Sequence, residues 1–183
     1  GRVPVHIVPA NVSGAAEEEN YLFAIRPEIL RRAIEPFRAH YDYIIIDNPP
    51  TIGTVAAASM AAADSMLIPA QCEEMSVMTI GKLLRTAREI KAKKNPKLDL
   101  EGILLTMTDR RTSLSAESIQ VMRKNFGKYL LQTMIERHDD LSRVAARGEP
   151  LVFTSAVSRG AQCYLRLASE ILAKKREGRR LVA

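Results

Sequence analysis

The 183-residue chain is 46% hydrophobic with a mean hydropathy of −0.09, which excludes a disordered polypeptide and leaves enough length for a substantial core. No apolar run approaches the roughly 20 residues of a bilayer span, the opening GRVPVHIVPA does not read as a secretory signal, and Cys72 and Cys163 lack disulfide-scaffold or zinc-ligand spacing. The 27 basic residues outnumber 21 acidic ones for a net charge of +6 and a pI near 9.5, a modest bias toward polyanion partners.

In chain order, Val3 to Val8 is an apolar run between prolines and predicts a short strand. Asn11 to Asn20, with Ser13-Gly14 and three glutamates, reads as a polar loop. Pro27 suits an early helical position, and Ile29, Leu30, Ala33, Ile34 and Phe37 recur at helical spacing. Tyr41 to Gly53, YDYIIIDNPPTIG, then predicts the central strand, buried on both faces and ended at Asp47 by Asn48-Pro49-Pro50. An alanine-rich helix is expected over Thr54 to Ala63, a strand over Ser65 to Pro69 and an amphipathic helix over Met75 to Lys93. The last of these places Val77, Ile80, Leu84 and Ala87 opposite Lys82, Arg85, Glu89 and Lys93.

Further strands are expected at Leu100 to Met107 and Tyr129 to Ile135. Between them Leu114 to Phe126 reads as a helix closed by Gly127. A final helix, Arg159 to Arg176, has Ala161, Tyr164, Leu165, Ala168, Ile171 and Leu172 as its expected inner face. Met60, Met66, Met75 and Met78 read as core fillers. Strands alternating with helices predict an α/β fold, a three-layer, mostly parallel sheet flanked by helices. Residues 1–176 read as one domain and 177–183 as a tail.

Asp47 either marks the end of a core strand or holds the water shell of Mg²⁺ at the carboxyl rim of a sheet, where ligands bind in open α/β folds. Its sequence context bears on that choice. YDYIIIDNPPTIG, AAADSMLIPAQCE at Ala61 to Glu73, EGILLTMTDRRTSLS at Glu101 to Ser115 and SRGAQCYLRLASEI at Ser158 to Ile171 resemble the ParA/Soj family of DNA-partitioning ATPases, in its order and spacing. The resemblance runs from about Val3 to Ile171 and implies a P-loop NTPase-like fold. It also implies ATP and Mg²⁺ as cofactors, an ATP-dependent homodimer, nonspecific DNA and a centromere-binding ParB-like partner. A cytoplasmic, nucleoid-associated location without membrane attachment follows from the same likeness.

By the same resemblance, Asp47 matches the Walker B aspartate that meets Mg²⁺ through water, and Asn48, Pro49, Pro50 and Gly53 match the switch loop. Asn48 stands where a Cys or another small residue is usual. Thr106 and Met107 match the region that meets the nucleotide base, although an ordinary strand end reads equally well. Glu136 and Arg137 lie in a stretch usually written IPRN. There Glu136 replaces the proline, Asp140 a following arginine and Arg143 a glutamate, which leaves base and DNA contacts at these positions open.

Arg111 matches an arginine that contacts DNA phosphates, and Arg110-Arg111 before a helix start makes a reasonable phosphate site. Lys91, Lys93, Lys94, Lys97, Arg123, Lys124 and Lys128 add charge, each reading singly as a solvated helix position and together as support for salt-sensitive binding.

The phosphate-loop template GxxxxGK[ST] occurs nowhere in the 183 residues, and Gly81-Lys82 lies inside an amphipathic helix. The chain therefore looks like the carboxyl-terminal portion of a ParA-type ATPase and, as it stands, is not expected to hydrolyse ATP. The alternative is a naturally short, non-catalytic relative that binds DNA or a partner. The basic tail KKREGRRLVA has too few apolar residues for a MinD-type membrane helix, and neither cysteine fits a nitrogenase-iron-protein cluster.

Overall fold

The computed structural model describes residues 5–9, 26–73, 75–109, 111–144 and 148–176. The chain divides into two compact units, residues 1–62 and 63–183.

The regular elements described in the first unit are helices. Helix α1 (Pro27–Ile34) begins on proline, whose fixed φ suits the first turn, and runs into a 3₁₀ turn at Glu35–Phe37. It packs on α2 (Thr54–Ala62), and the Arg31 guanidinium donates to the Ala61 carbonyl. Val55, Ala56, Ala58, Ser59, Met60, Ala61 and Ala62 are buried, as an alanine-rich helix apolar all round requires. In α1 Pro27, Leu30 and Ile34 reach half-burial, and Ile29 stays exposed.

The expected central strand does not form. Tyr43–Asp47 carries no ladder, Ile44 is partly exposed, and Ile45 is 89% exposed. The physical reason is that no strand edge lies among the described residues of this unit. The described regular elements of this unit are helices, whose N–H and C=O groups are already bonded internally and so offer an extended run no ladder. Val5–Pro9 of the expected first strand likewise joins no ladder among the described residues and is exposed, with a 2.8 Å bond between His6 Nδ1 and the Tyr41 hydroxyl. The expected loop at Asn11–Asn20 lies outside the described residues.

The second unit has the expected α/β architecture. Strands β1 (Ser65–Gln71) and β2 (Asp99–Thr106) pair in parallel, linked by helix α3 (Met75–Lys93). Ile80, Leu84, Ala87 and Ile90 face inward, and Lys82, Arg85 and Glu89 face out. Met78 stands on that outer face, 70% exposed, so it fills no core gap; Met60 is buried and Met66 packs at the core margin. The Met75 side chain lies outside what is described.

A one-residue bulge sets the faces of β2. Met66 pairs with Leu100 but Leu67 with Gly102, leaving Glu101 as the extra residue. The phase shift puts Leu100, Ile103 and Leu105 on one face, clustered with Ile80, Leu84 and Met122. Leu104 points to the other face, clustered with Leu131, Ile135, Cys163 and Leu167. Helices thus cover both faces: α3 and α4 (Ser113–Phe126) on one, α7 (Arg159–Arg176) on the other. Short helices α5 (Asp139–Val144) and α6 (Leu151–Thr154) lead into α7.

The expected strand at Tyr129–Ile135 is reduced to two isolated bridges, Ile103 with Leu130 and Thr108 with Glu136. Leu131 N–H reaches the Ile103 carbonyl at 2.9 Å and Ile135 N–H the Leu105 carbonyl at 2.9 Å. Between them the Glu170 carboxylate takes the N–H groups of Gln132 and Thr133, both at 2.8 Å, so a side chain replaces a ladder. Gly127 does not act as a left-handed cap: its φ is −46°, and the chain continues into a 3₁₀ turn at Gly127–Tyr129.

The inner face of α7 is rotated from the apolar reading. Ala161, Cys163 and Leu167 are buried, whereas Tyr164, Leu165, Ala168 and Leu172 are exposed. Two polar anchors account for the rotation. Glu170 binds the 132–133 backbone and Lys174 Nζ donates to the Glu101 carbonyl at 3.2 Å, so 163, 167, 170 and 174 form the contact stripe.

Candidate site at the carboxyl rim of the sheet

The end of β2 builds the site. Cys72 N–H donates to the Thr106 carbonyl at 3.3 Å, the last bond between the β1 and β2 sides. Burial pushes the Cys72 thiol up, partly offset by its hydrogen bond to Ser115, which fits a packing role. At Met107 the backbone turns left-handed, φ 54°, the one non-glycine residue among those described to do so. Such a conformation costs of order 1–3 kcal/mol for a side chain and needs surrounding structure to hold it.

That structure is the crossing to the 135–137 segment. Thr108, 1% exposed, donates its N–H to the Ile135 carbonyl at 3.2 Å and accepts the Arg137 N–H at 3.0 Å. The turn at Met107 therefore moves the chain from one ladder to the other. It brings Thr106 and Met107 beside Glu136 and Arg137, two stretches some 30 residues apart that the sequence grouped only through resemblance. The Met107 side chain remains half-exposed at this rim. His138, largely covered, has Nε2 3.9 Å from the Glu136 carboxylate and no hydrogen-bond partner for that nitrogen among the described residues.

Asp109 follows directly. Its N–H donates to Ser115 Oγ at 3.0 Å, tying the rim to the start of α4, where Thr112 Oγ1 caps the Ser115 N–H at 3.3 Å. Its carboxylate accepts Arg111 three times, from the backbone N–H, Nε and Nη2, each at 3.0 Å. The Arg111 side-chain hydrogen bonds, then its backbone N–H, hold the Asp109 carboxyl down at about 2, and Asp109 in turn raises the Arg111 guanidinium. The Arg111 side chain is nonetheless 87% exposed. Arg110 lies outside the described residues.

Asp140 is turned to a different task from the arginine of the family pattern. Burial raises its carboxyl, but hydrogen bonds from Ser158, Gly160 and Leu141 outweigh that and hold it low. It accepts the Leu141 N–H at 2.9 Å and the Gly160 N–H at 3.4 Å, capping α7. A Cβ at Gly160 would meet Leu141 Cγ at 2.7 Å and Asp140 Oδ1 at 2.8 Å, so the close approach requires glycine. A carboxylate so engaged offers no phosphate contact; Arg143 is exposed nearby.

Asp47 and the 48–53 segment belong to the other unit. Asp47, Asn48, Pro49, Pro50 and Gly53 are exposed, Asn48 Nδ2 donates to the Ile46 carbonyl at 3.0 Å, and the Gly53 carbonyl accepts the Ala57 N–H at 3.0 Å to start α2. Among the described residues no three His, Cys, Asp or Glu side chains converge on a cation position. A lone exposed carboxylate is compatible with Mg²⁺ that keeps most of its waters and takes phosphate ligands, and not with an all-protein cage. No helix among the described residues is long and apolar enough to cross a membrane. Asp109 and Thr108 were not singled out in the sequence, and His138 reads there as a surface or satisfied histidine; the Asp-x-Arg spacing at 109 and 111, with Thr112 opening a helix, is the signal that could have found the first.

Residues 2–100 match the family described as an AAA domain. The chain is 38% identical over 168 residues to the sporulation initiation inhibitor protein Soj of Bacillus subtilis, covering 91% of this chain and 66% of that protein. It is 33% identical over 174 residues to the chromosome partitioning protein ParA of Caulobacter vibrioides, covering 93% and 65%. Among solved structures, cobyrinic acid a,c-diamide synthase from Mycobacterium smegmatis superposes with a TM-score of 0.71 at 27% identity, over 91% of this chain and 62% of that one. That synthase has also been solved with bound ADP and magnesium. The chain spans just under two thirds of the length of these relatives.

Proposed function

Since the chain belongs to the AAA domain family, and within it to the ParA/Soj type, we propose that it is part of a partitioning protein that acts in the segregation of a chromosome or plasmid. The observation that carries this reading is the 33% identity to a chromosome partitioning protein ParA across 93% of the chain. In the intact protein, ATP and Mg²⁺ drive a homodimer that binds DNA without sequence preference, and a ParB-like partner stimulates its release. The same reading treats residues 1–176 as one α/β domain.

Asp47 would hold the water shell of Mg²⁺, with Asn48, Pro49, Pro50 and Gly53 as the segment that responds to the nucleotide. When bound, the ion supplies charge neutralisation at the phosphates. Thr106, Met107, Glu136 and Arg137 would line the base: the left-handed turn at Met107 presents a thioether and backbone groups at one rim, the mixture a base pocket needs. Arg111, with Arg110, would meet DNA phosphates. The template GxxxxGK[ST] is absent from these 183 residues, so the chain by itself is expected not to hydrolyse ATP.

The test uses the longest natural form of the protein that contains this sequence. Binding to random-sequence duplex DNA is followed by anisotropy with ATP and Mg²⁺, and then with ADP. Binding with ATP only, with log affinity falling linearly in log salt, is expected. Equal binding with either nucleotide, or none with both, overturns the reading.

A further inference from the structure

The Arg111 side chain is 87% exposed, yet its guanidinium is already occupied along one edge. Nε and Nη2 each lie 3.0 Å from separate oxygens of Asp109, the fork-on-fork geometry by which an arginine takes a phosphate. The same carboxylate accepts the Arg111 backbone N–H, so three bonds close a ring within three residues. Ser115 Oγ, accepting the Asp109 N–H, fixes the ring to the start of α4. Two further charges act here: Arg137 on Asp109, and Asp139 on Arg111.

We propose that Asp109 is an internal competitor for phosphate at Arg111, resting on the DNA-binding reading above. A phosphate reaching this arginine must either displace the carboxylate from the Nε–Nη2 edge or bind the outer Nη1 side beside a fixed negative charge. Either route weakens the contact. The arginine then contributes to a weak, rapidly reversible association and not to a firm anchor.

Asp109→Asn tests this, because its amide oxygen still accepts the Arg111 N–H while the charge is lost. Affinity for random duplex DNA is measured over a salt series, with the longest natural form and ATP, for wild type, D109N, R111A and the double variant. D109N is expected to bind about fivefold tighter at low salt, with a salt slope steeper by about one phosphate contact. Adding R111A to D109N removes most of that gain. Asp109→Ser, whose hydroxyl can also cap the turn, repeats the test should D109N fold poorly by circular dichroism.

Weaker or unchanged binding in D109N overturns the inference, as does a gain that survives R111A, which would mark a general charge effect. If wild type binds no DNA, the reading of the function falls and this inference with it. If wild type binds and D109N gains nothing, only the inference falls.

Discussion

Two apolar runs end at the same kind of boundary and meet opposite fates. Leu100–Leu105 in β2 and Tyr43–Ile46 are comparable in composition and are both followed by polar residues. Ile103 is fully buried and Ile45 is 89% exposed. Intrinsic preference for extended backbone is therefore not what separates them. β2 lies between β1 on one side and the 130–136 segment on the other, with helices over both faces, whereas the regular elements described in the unit of 43–47 are helices. A strand is a property of two backbones, and an apolar run supplies one of them.

Paired substitutions break or sharpen this contrast. The largest effect is expected for Ile103→Ala, which removes a fully buried side chain from the cluster with Ile80 and Met122 and should cost about 3 kcal/mol in urea denaturation. Next is Gly102→Ala. Its φ of +154° disfavours a side chain, and a Cβ would sit 2.6 Å from Leu131 Cδ2 and 3.3 Å from the Tyr129 carbonyl; a loss of about 2 kcal/mol is expected in the same measurement. The crossing to the 130–136 segment is tested by Glu170→Gln, at about 1 kcal/mol near neutral pH. Burial raises the Glu170 carboxyl, but the Thr133 and Gln132 hydrogen bonds prevail and lower it. Its contribution is therefore complete above the unfolded value of about 4.3 and is lost as pH falls through the lower folded value. The gap between wild type and E170Q should close under acid. Smallest is Ile45→Ala, expected within about 0.5 kcal/mol; a cost matching Ile103→Ala would mean that 43–47 is a buried strand in solution.

The same contrast explains how much could be read in advance. Helix α3 was legible because Ile80, Leu84 and Ala87 recur at a spacing only one conformation buries. Both paired strands and the parallel order followed from short apolar runs alternating with helices. The rotation of α7 was not legible, since Tyr164, Leu165 and Leu172 outweigh Cys163 and Leu167 in apolarity, and the deciding contacts of Glu170 and Lys174 are with backbone groups far away in sequence. At the candidate site, proximity of Thr106 and Met107 to Glu136 and Arg137 follows from a left-handed turn at a methionine, which no propensity anticipates. Arg111 was foreseeable as a cation; its engagement with Asp109 depends on the turn that brings two residues apart in the chain back onto each other.

Glu170 has one more consequence. The N–H groups of Gln132 and Thr133 lie on the irregular segment beyond β2, where an unfilled row of donors would invite a strand from another molecule. A carboxylate covers them by virtue of its charge. Protonation removes that charge, so acid is expected to weaken the cover and leave this margin more adhesive, which turbidity followed alongside the helix signal would check.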